Sequence, residues 1–308
     1  MKIMTHLLDI DDLTKTDIDS ILKLAIELKQ SHIDGNVPSL LHGKTLSMLF
    51  EKPSTRTRVS FEVGMNLLGG DAITFDLSQL QLSRGETLSD TTKSLSLYVD
   101  AILARVTDHS LLEQLSSTSK IPIINGLSDK SHPCQALADL LTIYENFGNF
   151  DVQAAWVGDG NNVANSFARA CSIMGIDLVM ATPKGYELSP ETLSKIESSG
   201  ISFSATNDPQ KAVSEADVVY TDTWVSMGDE STRDKRLSDF DGFQINSKLL
   251  DKTEALVMHC LPAHRDEEIS TDILDGDRSL VWTQAENRLH AQNGLLVHIL
   301  NPAQDAPK

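Results

Sequence analysis

Ala154-Ala155-Trp156-Val157-Gly158-Asp159-Gly160-Asn161-Asn162-Val163-Ala164 changes character twice in a short space. The first four residues are a compact apolar run, as a buried strand requires. Gly158-Asp159-Gly160 then reads as a turn. Val163, Phe167, Ala170, Cys171 and Met174 recur at helical spacing, and Gly175 stops that helix. Residues 177–182 are strand-like again. A strand, a glycine turn, a helix and a second strand form a βαβ unit, whose crossover makes the two strands parallel.

The same rhythm extends in both directions. Downstream, residues 217–221, 255–259 and 280–282 are strand candidates. Helical stretches at 190–197 and 209–215, each opened by a proline, separate the first of them. Upstream, residues 16–32 carry Ile18, Ile21, Leu22, Ala25 and Leu28 on one stripe. Leu46, Met48 and Phe50 alternate as in a strand, and residues 101–106 and 121–125 are short strands. Pro133 opens a helix that runs to Gly148. Residues 59–65 alternate like a strand, yet Phe61, Met65 and Leu68 fit a helix, and Gly69-Gly70 is a good helix stop. The helix is the preferred reading. The expected fold class is α/β, with two doubly wound domains, each a mostly parallel sheet with helices on both faces.

The chain has 308 residues, enough for two domains at roughly 150 residues each. The sequence carries 26 basic and 44 acidic residues, a net charge of −18. That field repels nucleic acid and anionic membranes, so neither is an expected partner. It permits an anionic small substrate where basic residues gather locally. A salt-adapted host would also account for the acidity. No apolar run approaches a membrane span, and the start has no secretory pattern, so the expected compartment is the cytoplasm. Cys134, Cys171 and Cys260 form neither a disulfide framework nor a zinc ribbon.

In open α/β sheets ligands collect at the carboxyl ends of strands, so the residues just after each strand are the candidates. After Phe50 come Ser54-Thr55-Arg56-Thr57-Arg58, where hydroxyls, helix N–H groups and guanidinium forks suit a phosphate. The same string also reads as a capped helix start with solvated arginines. Arg105 ends the next strand, and His132-Pro133-Cys134-Gln135 follows the one after. Together they suggest a pocket for a phosphate joined to a carbonyl. Gly158 and Gly160 resemble a dinucleotide turn, but residues 178–183 offer no acidic ribose partner, which counts against a nicotinamide cofactor. Asp222 is placed to pair with a substrate ammonium or simply to cap a turn. Cys260 beside His259 invites a nucleophile reading. Against it, most cysteines are buried hydrophobes, and adjacent strand residues point to opposite faces.

Taken jointly, these motifs resemble the aspartate and ornithine carbamoyltransferase family over essentially the whole chain. S-T-R-T-R, the H-P-x-Q segment at His132 and Gln284-Ala285-Glu286-Asn287-Arg288 occur in that family's order. Asp222 to Gly228 reads D-T-W-x-S-M-G, and Cys260 stands in H-C-L-P; both are similar to the ornithine branch. The loop from Gln81 to Thr87 lacks the lysine that aspartate enzymes place before Gly-Glu.

The resemblance implies a carbamoyl phosphate-binding domain over residues 1–135, with a C-terminal helix of about 286–308 packing back on it. It implies an ornithine-binding domain over 136–285. Ser54, Thr55, Arg56 and Thr57 would bind the phosphate, and Arg105 would touch phosphate and carbonyl oxygen. His132, Pro133, Cys134 and Gln135 would hold the carbamoyl end, with Cys260, Leu261 and Arg288 completing the centre. Arg105, His132 and Cys260 would be the catalytic set. Asn162, Asp222, Ser226 and Met227 would bind ornithine. Gln81 would reach a neighbouring subunit's site, making the active form a trimer or a multiple of trimers. The implied reaction gives citrulline and phosphate, in arginine biosynthesis, without metal or cofactor. The competing readings are transfer to aspartate, putrescine or a modified ornithine, a nicotinamide-dependent oxidoreductase, and a silent ligand-binding paralogue.

Overall fold

The computed structural model describes residues 6–80, 85–225 and 230–301. Backbone contacts divide the chain into two units. One runs through Leu141 and takes up the chain again from Asn287; the other is Thr142–Glu286.

The first unit contains β1 (His6–Leu7), α1 (Lys15–Ile33), β2 (Thr45–Phe50), α2 (Thr55–Leu67), β3 (Asp71–Asp76) and α3 (Leu88–Leu95). Then come β4 (Ala101–Arg105), α4 (His109–Thr118), β5 (Ile123–Leu127) and the first turns of α5 (Pro133–Phe147). Thr14 and Asp17 close the start of α1 as a reciprocal capping box. The strands form one parallel sheet in the order β1-β5-β4-β2-β3. From β2 the chain moves outward to β3, then returns to the other side of β2 with β4. The crevice at the carboxyl ends of β2 and β4 is therefore a topological switch point.

The second unit repeats the plan. It contains β6 (Gln153–Val157), α6 (Asn162–Met174), β7 (Asp177–Ala181), α7 (Pro190–Ser199), β8 (Phe203–Thr206) and α8 (Pro209–Val213). β9 (Val218–Thr221), α9 (Arg233–Asp239), β10 (Leu256–His259) and α10 (Thr271–Leu274) follow. This sheet is also parallel, in the order β10-β9-β6-β7-β8, and its switch point lies between β6 and β9. Trp156, Phe167 and Tyr220 pack as an aromatic cluster with centroids 4.8–6.2 Å apart. The last helix, α11 (Val281–Leu300), starts in the second unit and continues into the first.

The ambiguous segment 59–65 is helical, inside α2. Residues 280–282 do not form a strand. A single bridge from Val257 to Ser279 runs beside β10, and the chain then turns directly into α11. β3 and β8 have no strong apolar signal because both are edge strands, with burial alternating or sparse along them. Central parallel strands are covered on both faces and read as continuous apolar runs; edges do not.

Candidate active site

Each switch point carries a polar cluster. In the first unit, Phe50 of β2 pairs in register with Arg105 of β4. A register shift between Ala104 and Arg105 on the β5 side marks a bulge at the end of β4. Bulges turn a strand end and re-aim its side chains. Here the Arg105 guanidinium donates to the Thr57 hydroxyl at 3.3 Å. Arg288 of α11 donates to the same hydroxyl at 3.4 Å and to Gln135 Oε1 at 2.8 Å. Gln135 Nε2 donates in turn to Asp139 Oδ1 at 2.8 Å. Thr57, Gln135, His132 and Arg288 are all buried, whereas Thr55 and Arg56 stay exposed.

Ser54 is the N-cap of α2, but its side chain makes no capping bond. The start of α2 therefore points its first N–H groups and its positive dipole end at any anion beside Thr55 and Arg56. α6 differs. Asn161 caps it, accepting from Val163 N and Ala164 N at 3.0 Å. The amides that a dinucleotide pyrophosphate would take are thus already engaged. The glycine turn is also filled by its own chain. A Cβ on Gly160 would lie 2.5 Å from the Glu187 backbone carbon, and Trp156 Nε1 donates to Asp159 O at 3.0 Å. Asp159 itself is paired with Arg236 at 2.7 Å. The glycines serve close backbone packing.

His132 is held well below the usual histidine range, first by burial and then by Arg288, Arg105 and Arg56. It is neutral near pH 7 and can donate one hydrogen bond without adding charge. The unfolded chain takes up this proton near pH 6.5 and the folded chain does not. Stability is thus unaffected well above pH 6.5 and falls as pH drops below it, by up to about 1.4 kcal/mol per pH unit. In His132→Gln the urea midpoint should fall less between pH 7 and 5.5 than in the parent. Parallel curves for the two proteins would contradict this.

Cys134 lies beside His132, but its thiol is buried and donates to Asn125 O at 3.4 Å. Burial pushes this thiol up to about 12, so it is no nucleophile.

In the second unit, Asp222 follows β9 directly and is buried. Its Oδ2 accepts from Asn161 Nδ2 at 2.9 Å, across the switch point. Its Oδ1 accepts from Cys260 Sγ at 3.0 Å. Cys260 is partly exposed, while His259 next to it is fully buried. Leu261 has a φ of 59°, a left-handed conformation rare for leucine and costing on the order of 1–3 kcal/mol. Its N–H donates to His259 Nδ1 at 2.9 Å.

Asn161 touches Asp222, and Asn162 is the first residue of α6 and half-buried. For Asn161, the signal in the sequence is the N-cap role of an Asn that directly follows Gly-Asp-Gly at a helix start. Gln81, Ser226 and Met227 lie outside the described residues. The donor atoms of Asp222, His259 and Cys260 are within 4.8 Å of one another, as are those of His264, Glu267 and Glu268. These are the sets close enough to share a cation among the described residues. In the first, both ring nitrogens of His259 already have hydrogen-bond partners.

Two family models match successive parts of the chain. Residues 5–145 match the model described as aspartate/ornithine carbamoyltransferase, carbamoyl-P binding domain, and residues 151–299 match the Asp/Orn binding domain model. The chain belongs to the aspartate/ornithine carbamoyltransferase family. It is 51% identical to an ornithine carbamoyltransferase of Haloquadratum walsbyi over 96% of this chain and 98% of that one. The ornithine carbamoyltransferase structure from Pyrococcus furiosus is 49% identical, with a TM-score of 0.92, covering 96% of this chain and 97% of that one. The ornithine transcarbamoylase structure from Giardia lamblia, 30% identical, still aligns with a TM-score of 0.87 over 97% and 99% of the two chains. The model for the family's second domain runs to residue 299, whereas the chain from Asn287 on folds with the first unit.

Proposed function

We propose that this carbamoyltransferase-family chain moves the carbamoyl group of carbamoyl phosphate to the δ-amine of L-ornithine, giving L-citrulline and phosphate. One observation carries the reading. In a chain of net charge −18, Arg105 and Arg288 both donate to the buried Thr57 hydroxyl at a switch point, beside a neutral His132 and the start of α2 with Arg56. Such a concentration of guanidinium suits a phosphoanhydride-type substrate. The relatives named above are ornithine carbamoyltransferases, and D-T-W-x-S-M-G belongs to that branch by resemblance.

In this reading Ser54, Thr55, Arg56 and Thr57 bind the phosphate, with Pro133 and Cys134 contributing at the start of α5. Arg105 and Arg288 neutralise the charge that grows on the leaving oxygen. Thr57, Arg105 and His132 donate to the carbonyl oxygen as it becomes an oxyanion. Asp222, held by Asn161 and Cys260, takes the amino-acid end of ornithine together with Asn162, Ser226 and Met227. The amine attacks in its neutral form, with Asp222, which holds the Cys260 thiol, and the departing phosphate as the available proton acceptors. Leu261 completes the centre, and no covalent enzyme intermediate is required.

The proposal extends to a trimer or multiple of trimers, with Gln81 entering a neighbour's site. β3 supports it: this edge strand leaves Ile73 45% exposed, and Val59 and Val63 of α2 are exposed as well. An open strand edge with exposed apolar side chains beside it invites a partner. A cytoplasmic role in arginine biosynthesis completes the reading.

Citrulline formation should be assayed with ornithine, aspartate, putrescine and N-acetylornithine as acceptors. Turnover with ornithine alone is the expected result. Turnover with another amine instead would keep the phosphate-side assignments and overturn the amine side. A folded trimer without turnover on any acceptor would favour a silent paralogue.

A further inference from the structure

Asp222 and Cys260 meet through atoms on two different segments, and both segments are fastened to a single buried carboxylate. Glu268 is fully buried. Its Oε1 accepts from His259 Nε2 at 3.0 Å and from the His264 backbone N–H at 2.6 Å. The backbone N–H of Leu261 can only donate, so His259 Nδ1 accepts and the ring proton sits on Nε2. Glu268 is the acceptor that selects this tautomer. The chain of bonds from Glu268 through His259 to Leu261 thus stabilises the left-handed turn that presents the Cys260 thiol. His259 is also pinned at its backbone N–H by Gln284 Oε1, at 2.9 Å.

The second branch leads to Asp222. Thr223, its neighbour in sequence, donates its hydroxyl proton to Val225 O at 3.2 Å. The Thr223 oxygen therefore accepts from His264 Nδ1, at 2.9 Å. The backbone of His264 is the one fixed by Glu268. One carboxylate therefore sets both the Cys260 turn and the segment carrying Asp222.

We infer that Glu268 is a positioning residue for the amine side: acting through His259 and His264, it holds Cys260 and Asp222 in register for the acceptor amine. The inference rests on the proposed ornithine reaction only for its kinetic readout. The hydrogen bonds of Glu268 run to the segments that carry Cys260 and Asp222, so its effects should separate from those of the phosphate corner.

The test uses the full chain with Glu268→Leu, which removes the acceptor, and Glu268→Gln, which keeps one acceptor oxygen. In Glu268→Leu, misplacement of the amine side should raise KM for ornithine and lower kcat by about tenfold to a hundredfold. KM for carbamoyl phosphate, whose phosphate contacts lie on Ser54 to Thr57 and Arg105, should rise far less than KM for ornithine, a split that general loosening of the fold would not give. Glu268→Gln should recover most of the loss. Alkylation of Cys260 by iodoacetamide, mapped by mass spectrometry, gives a readout independent of turnover, since Cys134 and Cys171 are buried. It should accelerate several-fold in Glu268→Leu. If that variant does not fold, His259→Gln serves. It retains a donor towards Glu268 but loses the acceptor for Leu261, and it should show the same amine-side loss and faster alkylation. Unchanged ornithine KM and unchanged Cys260 alkylation in a folded variant would overturn the inference. A protein without ornithine turnover whose Cys260 still reacts faster in the variants would overturn the proposed reaction and leave the positioning role standing.

Discussion

Arg105→Ala should lower kcat for citrulline formation by about a thousandfold, while Cys260→Ser should lower it by no more than about tenfold. The difference follows from what each replacement leaves behind. Arg105 ends β4, at a bulge, and donates to the buried Thr57 hydroxyl. Alanine removes a charge, a hydrogen-bond fork and the partner of Thr57 at once. It also removes one of the arginines that hold His132 neutral. Serine at 260 still carries a hydroxyl that donates to Asp222 Oδ1 in place of the thiol. Arg105→Lys should fall between the two, since it keeps charge without the planar fork. Steady-state citrulline assays at saturating substrates decide the order. Equal, near-complete loss in Arg105→Ala and Cys260→Ser would defeat it and return Cys260 to the chemistry.

Gly294→Ala is the second large effect, and it acts on stability. A Cβ at this position of α11 would lie 2.4 Å from Ile21 O, 3.0 Å from Ala25 N and 3.2 Å from Ala25 Cβ, all in α1. Backbone atoms inside a helix cannot step aside one at a time, so the two helices must separate. Alanine gains about 1 kcal/mol of helix propensity over glycine. Overpacking of this kind costs typically about 1–3 kcal/mol and occasionally more, and a clash with backbone belongs at the upper end. A net loss near 2 kcal/mol should lower Tm by roughly 4–8 °C. Activity should fall with it, because α11 also carries Arg288 to Thr57 and Gln135. Gly64→Ala is the control. Its Cβ would meet Asn293 Oδ1 at 2.3 Å, the end of a side chain that can turn away. Calorimetry should therefore show a smaller drop for Gly64→Ala, and the reverse order would refute the argument.

What the amino-acid order makes legible is uneven, for physical reasons. Residues 154–182 declare themselves because a strand buried on both faces, a glycine turn and a capped helix each leave a separate signature. β3 and β8 do not, since an edge strand needs little apolar surface. Residues 280–282 mislead because three apolar residues open a buried helix as readily as they form a strand. On the phosphate side, Thr57, Arg105, His132 and Gln135 are recognisable as residues placed after strands. Arg288 is not recognisable in that way; only resemblance to the family links it to a site whose other members lie far earlier in the chain. Glu268 leaves no signature at all, because a surface glutamate and a buried one look alike until their neighbours are known.

The path of α11 has a consequence for how the molecule is made. The first unit spans residues up to Leu141 but is closed by residues from Asn287 onward. During synthesis at about 5–20 residues per second, the helix that completes it arrives about seven to thirty seconds after Leu141. Until then Gly64 has no Asn293 to pack against, and Thr57 and Gln135 have no Arg288. The nascent first unit therefore stays open while the second folds behind it. The second guanidinium at Thr57 arrives only with α11, so a chain terminated before Arg288 has a phosphate corner short of one arginine.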